Sequence, residues 1–248
     1  MKQEELSGAV LGTISNLADT ALNRHPEDGA PLSNDQPWRP FDYVRMARLI
    51  AAVEAAQFFQ EHFPLAENRF SKEPLLRYAC TAAGLEGDVL EFGVGNGRTL
   101  RILCETFPDQ PVYGFDSFEG LPSDWTHDRR RGRYGTDGRI PENLPGNAAL
   151  FVGLFADQLP RYLQQGDAVV RLLHLDCDLY ESAREVLFAL APRLVQGSVI
   201  VFDEYLNYPG WKQHEYKAFM EFTEAFGKTF EYFGFASSYL SVAVRITG

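Results

Sequence analysis

From Asp88 to the end of the chain, short apolar β-rich runs alternate with stretches of helical periodicity, and this alternation constrains the fold more than any other feature. The pattern predicts strands at about 88–93, 112–116, 148–152, 169–176 and 198–203, with helices at about 97–106, 157–165 and 180–194 between them. Strands joined through helices run parallel and are covered on both faces, so each reads as a nearly continuous apolar run. After a further helix at about 214–226, the runs TFEYFGF and SYLSVAVRI follow each other within a few residues. A parallel crossover needs a dozen residues or more, so this pair must be an antiparallel hairpin. The expected architecture is α/β, a doubly wound seven-stranded sheet that is mostly parallel and ends in that hairpin.

Upstream, residues 1–40 are polar and carry His25-Pro26 and several prolines between Gly29 and Pro40, which reads as a short helix and an irregular arm. Tyr43, Met46, Ile50, Val53 and Phe58 recur at near-helical spacing and predict an amphipathic helix over 42–62, with a second helix over Lys72–Ala83 ending near Gly84. The domain reading is therefore an arm and helical extension at 1–67, then a catalytic domain at 68–248; a homodimer through the extension stays open. The formal charge of −11 speaks against a nucleic-acid partner held by phosphate contacts. Arg129–Arg131, with Arg133, is the one dense basic run and reads as a solvated loop, with an anionic ligand as the alternative. Cys80, Cys104 and Cys177 have neither metal-ligand spacing nor the number of a disulfide framework. With no cationic leader and no membrane-length apolar run, a cytoplasmic location without membrane contact is expected.

The first predicted strand runs into DVLEFGVGNGRT, residues 88–99. Gly93, Gly95 and Gly97 suit a tight strand-to-helix turn, which alone is a weak signal. Its neighbours narrow it. Glu91 stands two residues before the first glycine and Asp116 ends the next strand, so both carboxylates reach one crevice at the carboxyl edge of the sheet. Asp116 would accept hydrogen bonds from ribose hydroxyls, while Glu91 would orient the turn or meet an amino-acid end of the ligand through water. E-x-G-x-G-x-G replaces the G-x-G-x-x-G that cradles a pyrophosphate, which disfavours a nicotinamide and points to S-adenosylmethionine. Phe92, Thr99 and Ser117 border the same crevice. In FVGLFADQLP, Phe155 and Asp157 could frame an adenine; core packing for Phe155 and a helix cap for Asp157 are equally open.

Acids collect at the ends of the later strands. VVRLLHLDCDLY ends in Asp176-Cys177-Asp178, and SVIVFDEY ends in Asp203-Glu204. Asp176, which also borders the cofactor crevice, shares a side with Asp178 only if the strand continues through both; a turn would let them diverge. So many carboxylates resist joint ionisation unless a cation neutralises them, and oxygen ligands suit a hard ion such as Mg²⁺. His174 reads as a satisfied core residue, His214 as an alternative general base or a helix-start residue, and Cys177 as packing. Between Ser117 and Asn147 lies a segment too long for an ordinary connection, expected to be a lid; its Trp125 and Tyr134, with Tyr208 and Trp211 of the 205–214 segment, would stack on an acceptor.

LEFGVGNGRT, VYGFDSFEGLP, LHLDCDLYES and GSVIVFDEY together resemble the macrocin O-methyltransferase family of TylF and MycF type, over roughly residues 68–220. That resemblance implies a Rossmann-like class I methyltransferase fold and methylation of sugar hydroxyls of natural products. It implies Asp176, Asp203 and Glu204 as Mg²⁺ ligands and Asp178 as general base. The chain departs from the family in carrying Asp203-Glu204 for the usual Asp-Asp and in its glycine turn. The expected activity is S-adenosylmethionine-dependent O-methylation of a small hydroxylated metabolite, Mg²⁺-assisted; the alternatives are a metal-independent methyltransferase and a non-catalytic nucleotide-binding assembly subunit.

Overall fold

The computed structural model describes residues 42–248, so the reading of 1–40 lies outside the described residues. The described residues fall into two units that meet between Ile50 and Ala51. Asp42 opens helix α1 (Tyr43–His62) as an N-cap, its carboxylate accepting the backbone N–H groups of Val44 and Arg45 at 3.0 and 3.1 Å. The buried stripe of α1 is Ala51, Ala55 and Phe58, whereas Tyr43 and Ile50, expected on its apolar face, are exposed. Phe58 sets the face, because its ring packs within 5.4–6.4 Å of Trp211, Tyr216, Tyr232 and Tyr205, all far away in sequence.

The chain continues through β1 (Glu67–Asn68), α2 (Lys72–Ala82), β2 (Asp88–Phe92), α3 (Arg98–Thr106), β3 (Val112–Asp116), β4 (Ala148–Val152), α4 (Phe155–Leu163), β5 (Val170–Leu175) and α5 (Tyr180–Leu190). There follow β6 (Val199–Phe202), a 3-10 turn at Trp211–Gln213, α6 (Glu215–Phe226), β7 (Phe230–Phe235) and β8 (Val242–Ile246). The sheet order is β1-β7-β8-β6-β5-β2-β3-β4. Only β8 is antiparallel to its neighbours, closing the sheet in the expected hairpin with β7. This is a Rossmann-like α/β fold with eight strands rather than seven, because the two residues of β1 add to the edge opposite Gly234 and Phe235. A strand that short has no period for a sequence to reveal.

Alternation along the strands feeds two cores. Val89, Leu172, Val199 and Val201 face α2 and α3, while Leu90, Phe92, Leu173 and Phe202 face the side covered by α4, α5 and α6. Just past the carboxyl edge, one more rung of backbone bonds ties the segments together: Gly93 N to Phe115 O, Asp176 N to Phe92 O and Asp203 N to Leu175 O, each 2.9 Å. That rung brings the glycine turn and both acid runs side by side. Among the described residues no helix is long and apolar enough to cross a membrane.

Candidate active site

Gly93 leaves β2 at φ 94°, and a Cβ there would lie 1.9 Å from the carbonyl oxygen of Asp176, so only glycine passes between the two strands. Asp116 fastens the turn: one oxygen accepts the N–H of Gly95 at 2.7 Å and the other that of Phe118 at 2.7 Å. Each carboxylate oxygen has a second lone pair, so Asp116 keeps capacity for a ribose hydroxyl. Glu91 is fully buried, with Oε1 2.8 Å from His174 Nδ1. Phe92 turns its ring into the core, stacked 4.3 Å from Phe115, and leaves only backbone at the crevice. Thr99 is buried in the first turn of α3, Ser117 is half-buried and accepts the Glu119 N–H, and Phe155 opens α4 with its ring edge-on to Phe92 at 5.1 Å. Asp157 stays exposed in that first turn, and no side chain caps the helix. The glycine turn, fastened by Asp116, suits a nucleoside ligand without pyrophosphate.

The acids divide into two groups. Strand β5 ends at Leu175, and Asp178 sits in a turn at φ 61°, so Asp176 and Asp178 diverge. On the α2 side, Lys72 Nζ donates to Asp176 Oδ2 at 2.9 Å and to Asp203 Oδ2 at 2.6 Å. Ser241 Oγ donates to Asp203 O at 3.0 Å, and His174 Nε2 lies 3.8 Å from Asp203 Oδ1, close enough for charge attraction but beyond a hydrogen bond. Burial works against the Asp203 carboxylate, yet the neighbouring imidazolium and ammonium hold it down to about 2. Burial likewise disfavours charge on Lys72 and His174; Asp176 and Asp203 outweigh it for Lys72, and Asp203 and Glu91 for His174, raising the first well above its ordinary value and the second to about 9. Asp176 is pushed up to about 6 by burial and by Asp203, against the pull of Lys72.

On the opposite side stand Asp178, Glu204 and Glu215. Glu215, which the sequence reading missed, is fully buried at the start of α6 and accepts the backbone N–H groups of Cys177 and Glu204 at 3.2 and 3.1 Å. Burial, reinforced by the charges of Asp176 and Asp203, raises Asp178 to about 8. Burial and the surrounding carboxylates push Glu204 and Glu215 far above the carboxylate range as well, and Cys177 is buried with its thiol raised. His214 precedes α6 half-buried, its ring 5.9 Å from Trp125 and 6.0 Å from Tyr208, with burial lowering its pKa.

The segment after β3 is knit to itself by backbone bonds, among them Leu121 N to Arg133 O, Trp125 N to Arg129 O and Thr136 N to Phe118 O. Arg130 and the backbone of Arg131 both bind Asp124 at 2.9 Å, so they serve the loop. Arg129 differs: its guanidinium lies 4.6 Å from the Trp125 ring centre and its charge acts on Asp178. Trp211, expected to stack on an acceptor, is instead fully buried against Phe58 and Tyr216. Trp125 and Tyr208 are also buried, 5.6 Å apart, and of the four rings Tyr134 alone is half exposed.

Residues 90–205 match the model of a methyltransferase domain. Over 83–87% of its length the chain is similar in structure to CalS11, a calicheamicin methyltransferase (TM-score 0.56, 99% of that chain), and to the O-methyltransferase NovP (TM-score 0.53, 98% of that chain), both at 19% identity. The fold is a methyltransferase fold. A curated relative, the 8-demethyl-8-(2,3-dimethoxy-alpha-L-rhamnosyl)-tetracenomycin-C 4'-O-methyltransferase of Streptomyces olivaceus, is 33% identical over 143 residues, which is 50% of this chain and 55% of that relative. The aligned stretch thus spans about half of each protein.

Within this methyltransferase fold, Asp176 and Asp203 of the expected Mg²⁺ ligands come together, and Glu204 does not join them. Asp203 turns to Lys72, while the backbone of Glu204, one residue on, is held from α6 by Glu215. Among the described residues, the one grouping whose possible ligand atoms all lie within 4.8 Å is His174, Asp176 and Asp203, without Glu204, and an ammonium already bridges its two carboxylates. The donor set as folded does not fit a divalent ion. Lys72 was the residue sequence reasoning most needed and did not find; the only signal was the unbalanced charge of the acids themselves.

Proposed function

We propose that this chain is an S-adenosylmethionine-dependent O-methyltransferase whose acceptor is a hydroxyl of a sugar or another small natural-product-like metabolite. The observation that carries the reading is Asp178, a buried carboxyl raised to about 8 and set on the same sheet edge as the Asp116-anchored glycine turn. The methyltransferase-domain match and the rhamnosyl O-methyltransferase relative support both the cofactor and the acceptor class.

When bound, S-adenosylmethionine supplies an electrophilic methyl on sulfur. Asp116 and the turn from Gly93 to Gly97 would hold its nucleoside, with Phe155 beside the adenine. Asp178, ionised, would take the proton of the acceptor hydroxyl, for which the bound cofactor would supply the methyl group. A general base whose pKa lies near the operating pH is efficient at this step, and the raised value of Asp178 supplies that match. His214, held neutral by burial, is the reserve base on the same side. Positioning the two reactants accounts for much of the remaining acceleration.

The net charge of −11 supports a small-molecule rather than a nucleic-acid partner, and the three free, buried cysteines support a reducing, cytoplasmic setting. The test is calorimetric titration with S-adenosylmethionine, followed by a screen of hydroxylated acceptors with methyl-labelled cofactor. Binding and label transfer to a hydroxyl are expected; absence of cofactor binding at millimolar concentration sinks the reading and leaves a non-catalytic subunit.

A further inference from the structure

We propose that Lys72 is the resident cation of the acid cluster, its ammonium bridging Asp176 and Asp203 in the place where the family resemblance puts a divalent ion, so that the site operates without metal. The inference deepens the methyltransferase reading and rests on it for the site's activity; the occupancy of the cation position stands on the geometry alone.

Lys72 opens α2, and its Nζ donates to Asp176 Oδ2 at 2.9 Å and to Asp203 Oδ2 at 2.6 Å. These two carboxylates are two of the three that the resemblance implies as ligands, and each already accepts a hydrogen bond from the ammonium. Glu204, expected as the third, is not grouped with them, and its Oε2 is buried without a partner. Mg²⁺ asks for near-octahedral oxygen coordination and gives up water reluctantly, so two carboxylates already bonded to an ammonium are poor hosts. The bridge is also built into a longer chain of contacts. Asp203 receives the Ser241 hydroxyl and faces His174, which is tied to Glu91 across the sheet. Three carboxylates, of Glu91, Asp176 and Asp203, thus meet two cationic side chains, and the charge that would call for a metal is largely compensated from within. An ammonium has three N–H donors, and two of them are used in this bridge. Lys72 is a positioning residue in this account: through Asp176 and Asp203 it fixes the edge against which the acceptor and Asp178 are set.

The test is a Mn²⁺ titration of the full chain near neutral pH, read by the electron paramagnetic resonance signal of free Mn²⁺, on wild type, Lys72→Met and Lys72→Arg. Wild type and Lys72→Arg should leave micromolar Mn²⁺ free, whereas Lys72→Met, with both carboxylates released, should bind it at least about tenfold more tightly. Sequestration of Mn²⁺ by wild type, or a folded Lys72→Met that binds it no better than wild type, overturns the inference. Should Lys72→Met not fold, the wild-type protein decides: in ¹⁵N-lysine spectra the Lys72 ammonium resonance should be unmoved by millimolar Mg²⁺, and its displacement overturns the inference. Titration of the same wild-type sample with S-adenosylmethionine reads the methyltransferase assignment separately, since absent cofactor binding removes that assignment without touching the cation bridge.

Discussion

Two clusters of buried acid meet at one edge of the sheet and are built in opposite ways. On the α2 side, Glu91, Asp176 and Asp203 are tied to Lys72 and His174, and Asp203 is held ionised down to about 2. On the α6 side, Asp178, Glu204 and Glu215 crowd together, with Arg129 of the loop and the more distant Lys72 acting on Asp178, and all three carboxyls rise above the ordinary range. The difference teaches that sequence neighbours such as Asp203 and Glu204 can serve unrelated purposes. Acids paired within the fold become part of its framework, and acids left unpaired hold protons near neutral pH, where proton transfer is useful.

The sharpest way to break that contrast is to mutate one acid from each side. Asp178→Asn should lower kcat/KM for methyl transfer by about 10²–10⁴-fold with S-adenosylmethionine affinity unchanged by calorimetry, the usual share of a general base. Retained activity would move the base to His214. Asp203→Asn should instead cost stability, about 3–5 kcal/mol in urea unfolding, because it strands Lys72 beside a lone partner; Glu204→Gln on the other side should change stability by less than about 1 kcal/mol. Equal losses from the two would erase the distinction.

Titration reads both sides next. Asp176 at about 6, Asp178 at about 8 and His174 at about 9 all bind protons more tightly in the folded chain than in the unfolded one. The stabilisation from the two carboxyls is complete below the ordinary carboxylate pKa and is lost as pH climbs through their folded values; that from His174 is complete below its ordinary pKa and is lost on the way to its folded value. Thermal melts should therefore fall steadily from roughly pH 5 to pH 9, and Asp178→Asn should flatten part of the slope. Asp203 acts in the opposite sense, its contribution disappearing only as pH drops toward 2. Activity should rise with pH through the Asp178 value, since the base works ionised. The smallest effect belongs to Arg129→Ala: losing that half-buried cation should move the activity profile upward by less than about one pH unit, as solvent screens its charge. A downward shift would mean that Arg129 does not face the acids in solution.

What could be read from the sequence was what is local. The strands and helices from Asp88 onward showed themselves because their period and their turn residues lie within a dozen positions, and the closing hairpin followed from simple loop length. The acid runs were visible as runs. Their allegiance was not, because Lys72 reaches partners 104 and 131 residues away, and no pattern near Lys72 distinguishes it from a surface lysine at the start of a helix. The face of α1 was misread for the same reason: Tyr43 and Ile50 keep the right period, but the rings that receive Phe58 come from the far end of the chain. Trp211 sits in a loop-like segment and looked available, yet the fold closes over it.

Gly93 carries a consequence for anyone wishing to re-engineer such a fold. The space for its missing side chain is occupied by the carbonyl of Asp176, so the segment that would grip the cofactor and the segment that anchors the acids touch backbone to backbone. The two cannot be exchanged as separate modules. A cofactor turn transplanted from a relative with a bulkier residue at this position would push on Asp176, and through it on Lys72, so that altered cofactor preference and altered acceptor chemistry would arrive as a single change.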